Sequence, residues 1–546
     1  MKDNPIWLPH LTNEMLKGAR KTKLCAYSVA LEGWRRGLKL KWYTRDSEKF
    51  NDMITFGVNP PGRLFSLSSE IRTHYFFRTR GDLVTNEAVE IGSNKDETKI
   101  WLSRKGVPVP EGIEFDEYKT DEEIIESAKT LGYPLVLKPT NASLGKGVIT
   151  NIRNANALKK SLKYVREKLG YKNVLVERYV PGEEYRVYVV GDKVIGAYNR
   201  IPANIIGDGI HTIEELIELK NQERRRNPRL FNCLIEIDEE ITEFIQSAGY
   251  TFESIPKKGE RIFLREKSNI SAGGDPIDVT DELPTEIKQI AVKAINAIPG
   301  LFHGGVDIIV SDIRDKKSAV VIELNPTAQI GGILFPLEGR ARDIPAAIID
   351  FYFPETKGIN TERNRIYFDF NSVLEPLQNR SAIEVEVAQA PVGKIYAKKY
   401  TVTGKVHSIS YHRWLRKKAF ERNLSGCIKK SNSDAIEVLV AGTNPHDIDN
   451  FKNLLTQNPD KAEVEQVTEE IWNGPVKVGF EIIEGKLKNV ENELKKMRKQ
   501  LKEIEKQRIW FERETTKIAQ SRSWRYTVPV RKLGSFFKSK LSVFRF

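Results

Sequence analysis

Asp307, Glu323 and Asn325 stand on two apolar stretches that read as strands, VDIIVSDI and AVVIELN. Side chains two apart on a strand share one face, so Glu323 and Asn325 point the same way, and a neighbouring strand brings Asp307 beside them. Two carboxylates and an amide oxygen suit a hard divalent cation, Mg²⁺ or Mn²⁺. Upstream, Lys138 closes the apolar run YPLVLKP, and Lys95 and Lys99 precede it at the entrance of a helix. The stretch NASLGKG follows Lys138 and carries Ser143, Gly145, Lys146 and Gly147, a small-residue loop whose backbone N–H groups can approach phosphate. Lysines for phosphate oxygens, a pliant backbone lid and ligands for a cation bridging phosphates are what phosphoryl transfer to a carboxylate requires.

Strand patterns that can hold these residues occur at LVLKP, VLVERYV, EYRVYVVG and KVIGAYNRI, the last two joined by a hairpin turn at Gly191 and Asp192. A helix over HTIEELIELKNQERRR follows, and the strand pair of residues 306 to 324 is joined by a charged turn from Arg314 to Lys317. Helix periodicity is also expected over residues 12 to 38 and over NKDETKIWLSRKG, the latter stopped by Gly106, Pro108 and Pro110. Residues 393 to 468 run strand, helix, strand, strand, helix, strand, the order of a ferredoxin-like sandwich. Further on, Leu487, Val490, Leu494, Met497, Leu501, Ile504 and Phe511 recur in steps of three and four, interrupted at Arg508, which predicts a short coiled coil.

A chain of 546 residues, 40% hydrophobic and 29% charged, predicts two to four folded domains. Cys25, Cys233 and Cys427 have neither disulfide-framework nor zinc-site spacing, so a reducing compartment, the cytoplasm, is expected. The first residues lack the apolar core of a signal peptide, and no run of about 18 apolar residues predicts a membrane span. From residue 484 onward 18 Lys/Arg stand against 7 Asp/Glu, which is +11 of the total +13 and leaves +2 for everything before it. The basic tail, with Phe536, Phe537, Leu541 and Phe544 interleaved, is therefore where peripheral contact with an anionic membrane face or polymer is expected. No base-reading motif accompanies it, and nucleic acid is not an expected partner.

The order and spacing of strand-Lys138, NASLGKG, VLVERYVPGEEYRVYVVG and VDIIVSDI…VIELNP resemble the ATP-grasp family. That resemblance implies an ATP-grasp fold, ATP with Mg²⁺ or Mn²⁺ as cofactors, Glu177 and Val180 at the adenine hinge, Glu184 at the ribose, and Asp307, Glu323 and Asn325 as metal ligands. RIPANIIGDGIHTIEELIELKNQERRRNP and LREKSNISAGGDPIDVTDELP are similar to the ATP-grasp domains of cyanophycin synthetase and the bifunctional glutathione synthetases. By position it implies that Arg265, Lys267 and Asn269 face the transferred phosphate and the acyl group, with Arg186 and Arg200 as further cations. A guanidinium fork is apt for an acyl phosphate, whose oxygens gain charge. The glutamate–cysteine ligase and Mur-ligase-like parts of those relatives are not in this chain, so neither glutathione nor cyanophycin is assumed as product.

YTVTGKVHSISYHRWLRKKAFERNLSGCIKKSNSDAIEVLVAGTNPHDIDNFKNLL resembles acylphosphatase. In that family an anion loop ends in an arginine and an asparagine orients water. Here those positions fall on His412, with Arg413 next, and on Lys430, with Ser408 and Ser410 where the loop usually has glycines. A charged lysine cannot orient water as an amide does. SRSWRYTVPVRKLGSFFKSKL resembles segments that end coiled coils in bacterial cell-surface polysaccharide proteins.

The expected organisation is α/β and α+β: an N-terminal α/β region (1–92), an ATP-grasp domain (93–356), a linker (357–392), an acylphosphatase-like domain (393–470), a coiled coil (484–520) and a basic tail (521–546). The expected activity is ATP-dependent joining of a small carboxylate to an amine, with a second copy or another partner engaged through the coiled coil. Hydrolysis of acyl phosphates by residues 393–470, and a non-catalytic nucleotide-binding scaffold, are the two other readings.

Overall fold

The structure is a computed structural model that describes residues 5–140, 147–313, 319–359, 365–391, 393–432, 434–457 and 462–483, with residues 497, 501, 505 and 508. The charged turn Arg314–Lys317, most of the coiled-coil segment and the whole tail lie outside the described residues. Of the expected seam, Met497 and Leu501 are described as helical and exposed.

The first unit pairs strands β1 (Lys39–Tyr43), β2 (Leu64–Ser68), β3 (Thr73–Phe77) and β4 (Arg80–Gly81) in an antiparallel sheet. The helix Thr22–Arg35 covers it, buried along nearly its whole length from Leu24 to Arg35. This helix starts ten residues later than the sequence pattern suggests. Leu16 and Ala19 are buried as expected, but in turns, and Lys21 at φ 56° breaks any continuous helix.

The second unit contains two sheets. Strands β5 (Gly112–Phe115), β6 (Leu135–Pro139), β7 (Ile149–Ile152) and β8 (Val174–Arg178) form one, in the order β5-β8-β6-β7. The other contains β9 (Glu183–Val190), β10 (Lys193–Ile201), β13 (Asp275–Asp278), β14 (His303–Val310) and β15 (Ala319–Asn325), in the order β13-β10-β9-β14-β15. Between β10 and β13 the chain makes a small ribbon of β11 (Asn204–Ile206) and β12 (Arg261–Phe263) with the helices Ile213–Arg226 and Glu239–Ser247. The first of these helices begins in a capping box, Thr212 with Glu215, which satisfies two otherwise unpaired N–H groups.

The stretch expected as a linker, 357–392, is instead part of the first unit. Its strand β17 (Glu384–Glu386) pairs antiparallel with β1, and the rings of Phe368 and Phe370 pack on Tyr27, Trp34 and Trp42. The short strand β16 (Ile366–Tyr367) pairs in parallel with β22 (Val476–Lys477), which ties the first unit to the third.

The third unit takes the expected ferredoxin-like course through β18 (Tyr396–Lys405), β19 (Ser425–Asn432), β20 (Ala435–Gly442) and β21 (Glu463–Ile471), with two helices between them. A fifth strand, β23 (Phe480–Ile483), joins in parallel beside β19, an addition beyond the expected boundary of 470.

Gly182 sits where the chain turns from β8 into β9 with φ 144°, and a Cβ there would lie 2.3 Å from the Val310 carbonyl oxygen. Gly182→Ala is expected to cost at least about 1–3 kcal/mol, since backbone strain and a backbone clash add. Chemical denaturation of the full chain checks this; an unchanged midpoint would contradict the close approach of β9 and β14.

Candidate active site

The alternation of β9 and β14 decides where charge can go. Tyr185, Val187 and Val189, with Val306, Ile308 and Val310, enter one core against the helix Thr285–Asn296. The residues between them emerge on the other face, where register sets Arg186, Asp307 and Glu323 side by side across three strands.

There the charges form one network. Arg186 donates to both carboxylate oxygens of Asp307, at 2.8 Å from Nη2 and closer from Nε. Arg200 on β10 spans Asp307, at 3.2 Å, and Glu184, and Ser268 donates to the other oxygen of Glu184. Burial pushes the Asp307 carboxyl up, but the two guanidinium groups outweigh it and hold the group below the usual carboxylate range. Glu323 behaves oppositely: burial, and then the charge of Asp307, raises its pKa. Nδ2 of Asn325 is buried without a hydrogen-bond partner.

The four-stranded sheet and the helix before it carry the lysines. Lys138 on β6 and Lys99 on the helix Lys95–Arg104 both bind Glu177 of β8, Lys99 at 3.1 Å. Burial acts to raise the Glu177 carboxyl, and Lys138 and Lys99 reverse this and hold it low. Lys95 stands between the two sets. Burial lowers its pKa, the Glu323 and Glu177 charges act against that, and Lys138 acts with it. Gly147 at φ 73° closes on the end of β6, where a Cβ would meet the Pro139 ring at 2.8 Å. Ser143, Gly145 and Lys146 lie outside the described residues. Val180 is half-buried just after β8.

The three residues expected at the reacting groups are not gathered there. Arg265 is buried and turned to Asp238, at 2.5 Å, and to Glu240. Lys267 is exposed, and Asn269 accepts from the N–H of Ser271 at 2.9 Å, capping a short turn. What the 264–269 loop brings to the network is Ser268, which sequence reasoning passed over, and Thr150 of β7 reaches the same loop through Glu266 at 3.4 Å. The loop is anchored by a second missed cluster: Asp275 takes Lys220 at 2.5 Å and Arg224 at 2.7 Å, all buried. The i, i+4 spacing of Lys220 and Arg224, on the helix face of the buried Ile213, Leu216 and Ile217, was the available signal.

Asp307, Glu323 and Asn325 fit a divalent cation chemically. Their donors are hard oxygens, Glu323 is a half-buried carboxyl beside another, and the Asn325 amide, turned over, would offer its oxygen where Nδ2 now lacks a partner. Asp307 shares its charge with Arg186 and Arg200, so a cation there would compete with guanidinium groups.

In the third unit, His412 lies within the helix Ile409–Phe420, buried, with Nε2 against the Val406 carbonyl oxygen at 2.8 Å. Arg413 and Lys430 are exposed, and Ser408 and Ser410 bond each other at 2.6 Å.

Removing Arg186 leaves Asp307 buried with one guanidinium, so Arg186→Met is expected to lose about 3–5 kcal/mol at neutral pH. Because the folded-state pKa of Asp307 is depressed, its contribution is present above the unfolded carboxylate pKa and is lost as pH falls through the folded one. The deficit of the variant should therefore shrink in acid; denaturation curves at two pH values would contradict the pairing if the deficit stayed constant.

Residues 92–330 match the family model of the ATP-grasp domain, and residues 398–482 match that of acylphosphatase. Cyanophycin synthetase of Trichormus variabilis is 35% identical over 271 residues, 49% of this chain and 30% of that protein. The glutathione biosynthesis bifunctional protein GshAB of Streptococcus agalactiae is 36% identical over 342 residues, 59% of this chain and 45% of that protein. A solved structure, the bifunctional glutathione synthetase from Pasteurella multocida, is 30% identical, covering 54% of this chain and 40% of that one at a TM-score of 0.43. The chain thus spans less than half the length of these curated relatives. Across residues 92–330 it is an ATP-grasp domain homologous to those of cyanophycin synthetase and the bifunctional glutathione proteins, and it carries an acylphosphatase-like domain at residues 398–482.

Proposed function

We propose that the chain is an ATP-dependent, ADP-forming carboxylate–amine ligase. The observation that carries this is the meeting of two charge sets across the two sheets: Lys138 and Lys95 on one side, Asp307 and Glu323 on the other, with Lys95 sensing both. In this reading Lys138, parked on Glu177, and Lys95 hold phosphate oxygens, while Glu184 holds the ribose. Asp307, Glu323 and Asn325 hold Mg²⁺ or Mn²⁺, which supplies charge neutralisation at the phosphates when bound. In the same reading Arg200, shared between Glu184 and Asp307, turns toward a newly charged acyl oxygen.

The chemistry proposed is stepwise. A carboxylate oxygen bonds to the γ-phosphorus as the bond to the bridging oxygen of ADP breaks, giving an acyl phosphate. The amine nitrogen then attacks the acyl carbon, phosphate leaves, and the amine releases a proton to solvent. Similarity to cyanophycin synthetase and GshAB supports an amino acid or peptide as the acid, and the absence of disulfide-framework spacing among Cys25, Cys233 and Cys427 supports the cytoplasm as the compartment. Hydrolysis by the third unit draws no support from His412, which a helix turn and a carbonyl already occupy. We assign that unit a scaffolding role. The apolar spacing from Leu487 to Phe511 supports pairing with a second copy, and the +11 charge from residue 484 onward supports contact with an anionic membrane face or polymer.

The test is ADP release from the full chain with pooled amino acids and dipeptides, followed by mass spectrometry of the product. Lys138→Ala and Glu323→Ala are each expected to lower it by roughly 10²–10³-fold, the scale for removing one charge-stabilising group. ADP formation unaffected by either substitution would sink the ligase reading.

A further inference from the structure

Five cations are linked where the first unit meets the segment after β15: Cys25 feels both Arg78 and Arg229, Arg63 acts on Arg78 and Lys23, and Arg20 lies 3.5 Å from the Pro228 carbonyl, next to Arg229. Arg78, Arg63, Lys23 and Arg20 come from the first unit, and Arg229 comes from the loop after the helix Ile213–Arg226. Arg229 lies across Gly331, where a Cβ would stand 2.5 Å from its Cδ, and its Nη1 reaches the Cys233 sulfur at 2.9 Å. Arg63 donates to the Thr22 hydroxyl at 2.7 Å and the Pro60 carbonyl at 2.9 Å, and Arg20 stacks over Phe231 with its guanidinium carbon 5.3 Å from the ring centre. Among the described residues none of the five has a carboxylate at ion-pair distance.

Arg78 is the most constrained. It holds φ 59° without being glycine, sits over the rings of Phe56 at 4.7 Å and Phe77 at 4.8 Å, and has a buried Nε with no hydrogen-bond partner. Burial, and for Arg78 and Lys23 the charge of Arg63 as well, disfavours the charged forms of Arg20, Lys23, Arg63 and Arg78. Like charges gathered in a partly desolvated place are costly unless an anion completes them, and strained backbone persists where something requires it.

The cluster is adjacent to the ATP-grasp site. Thr79, next to Arg78, donates to the Ala328 carbonyl at 3.1 Å, and backbone groups of Ile330 and Gly331 bond the Cys25 sulfur, which feels Arg229 and Arg78. Gly332 abuts Tyr198, where a Cβ would lie 3.0 Å from the ring, and Tyr198 in turn interacts with Arg186 and Arg200. The segment from Ala328 to Gly332 is thus the partition between the carboxylate face and the five cations.

We propose that Arg78, Arg229, Arg63, Lys23 and Arg20 form a second anion subsite, which receives a non-reacting carboxylate or phosphate of the acid substrate. It rests on the ligase reading for the identity of what carries the anion. The substrate class that follows is an acid with two or more negative groups, one activated at the carboxylate face and one held by the arginines.

Calorimetric titration of the full chain with glutarate, its neutral diamide glutaramide, and phenyl phosphate tests this without turnover. Glutarate or phenyl phosphate should bind at least about tenfold tighter than glutaramide, the factor for one charged contact of about 1.4 kcal/mol. The double variant Arg78→Gln/Arg229→Gln should abolish that preference, and Lys138→Ala should keep it. A preference for phenyl phosphate over glutarate supports the subsite with phosphate as its anion, and the reverse supports it with carboxylate. Equal binding of glutarate, glutaramide and phenyl phosphate by the unaltered protein overturns the proposal, a comparison that needs no variant to fold. So does a preference that survives the double variant. A preference retained with no ADP release from any acid would sink the ligase reading and leave the subsite, whereas ADP release without it would sink the subsite alone.

Discussion

A carboxylate in the middle of a sheet cannot stay charged without cations, and Asp307 takes its cations from two neighbouring strands. Arg186 must sit opposite it on β9, and Arg200 must come from β10, so the order β10-β9-β14 is fixed as much by this network as by the apolar residues of the other face. A slip of one residue would turn Asp307 into the core and push Ile308 and Val310 out of it. The same network holds Glu184 through Arg200 and, through Glu184, the Ser268 loop. Glu323, left beside Asp307 with an elevated pKa, is the member with charge to give to a cation.

The surrounding structure keeps this face in place. Asp275, Lys220 and Arg224 pin the chain on either side of the Ser268 loop, and Arg224 also bonds the carbonyls of Cys233 and Gly274, at 2.7 and 3.1 Å. On the far side, the core that includes Tyr188, Tyr198 and Ile333 continues into the first unit through Tyr27 and Trp34 and into the third through Ala441 and Val476. The charged face and the first unit therefore stand on one continuous core, and displacement of the first unit would move Arg78 and Thr79 relative to that face.

The shared face of the candidate site is legible in the sequence. Period-two alternation in VDIIVSDI and AVVIELN places Asp307, Glu323 and Asn325 correctly on one face, because side-chain direction in a strand follows from sequence number alone. Pairing of charges does not follow from sequence number. Arg265 is turned to Asp238 and Glu240, about a helix away, and no local pattern announces that choice. Residues 357–392 were misread as a linker since β17 has only three residues, Glu384 to Glu386, and two of them are charged. β23 was missed for a similar reason, being four residues long and pairing with a strand some fifty residues earlier. The helix at residues 12 to 38 was overextended because buried turns carry apolar residues at helix-like spacing.

The proposed activity depends on Asp307 and Glu323 forming one divalent-cation site that serves ATP. Electron paramagnetic resonance titration of Mn²⁺ into the full chain with ATP measures this directly. Bound Mn²⁺ is predicted to rise as pH increases above the ordinary carboxylate range, because the cation must displace the proton that Glu323 holds more tightly than usual, and to be largely lost in Glu323→Gln. Binding of Mn²⁺ that is indifferent both to pH and to Glu323→Gln would contradict the account.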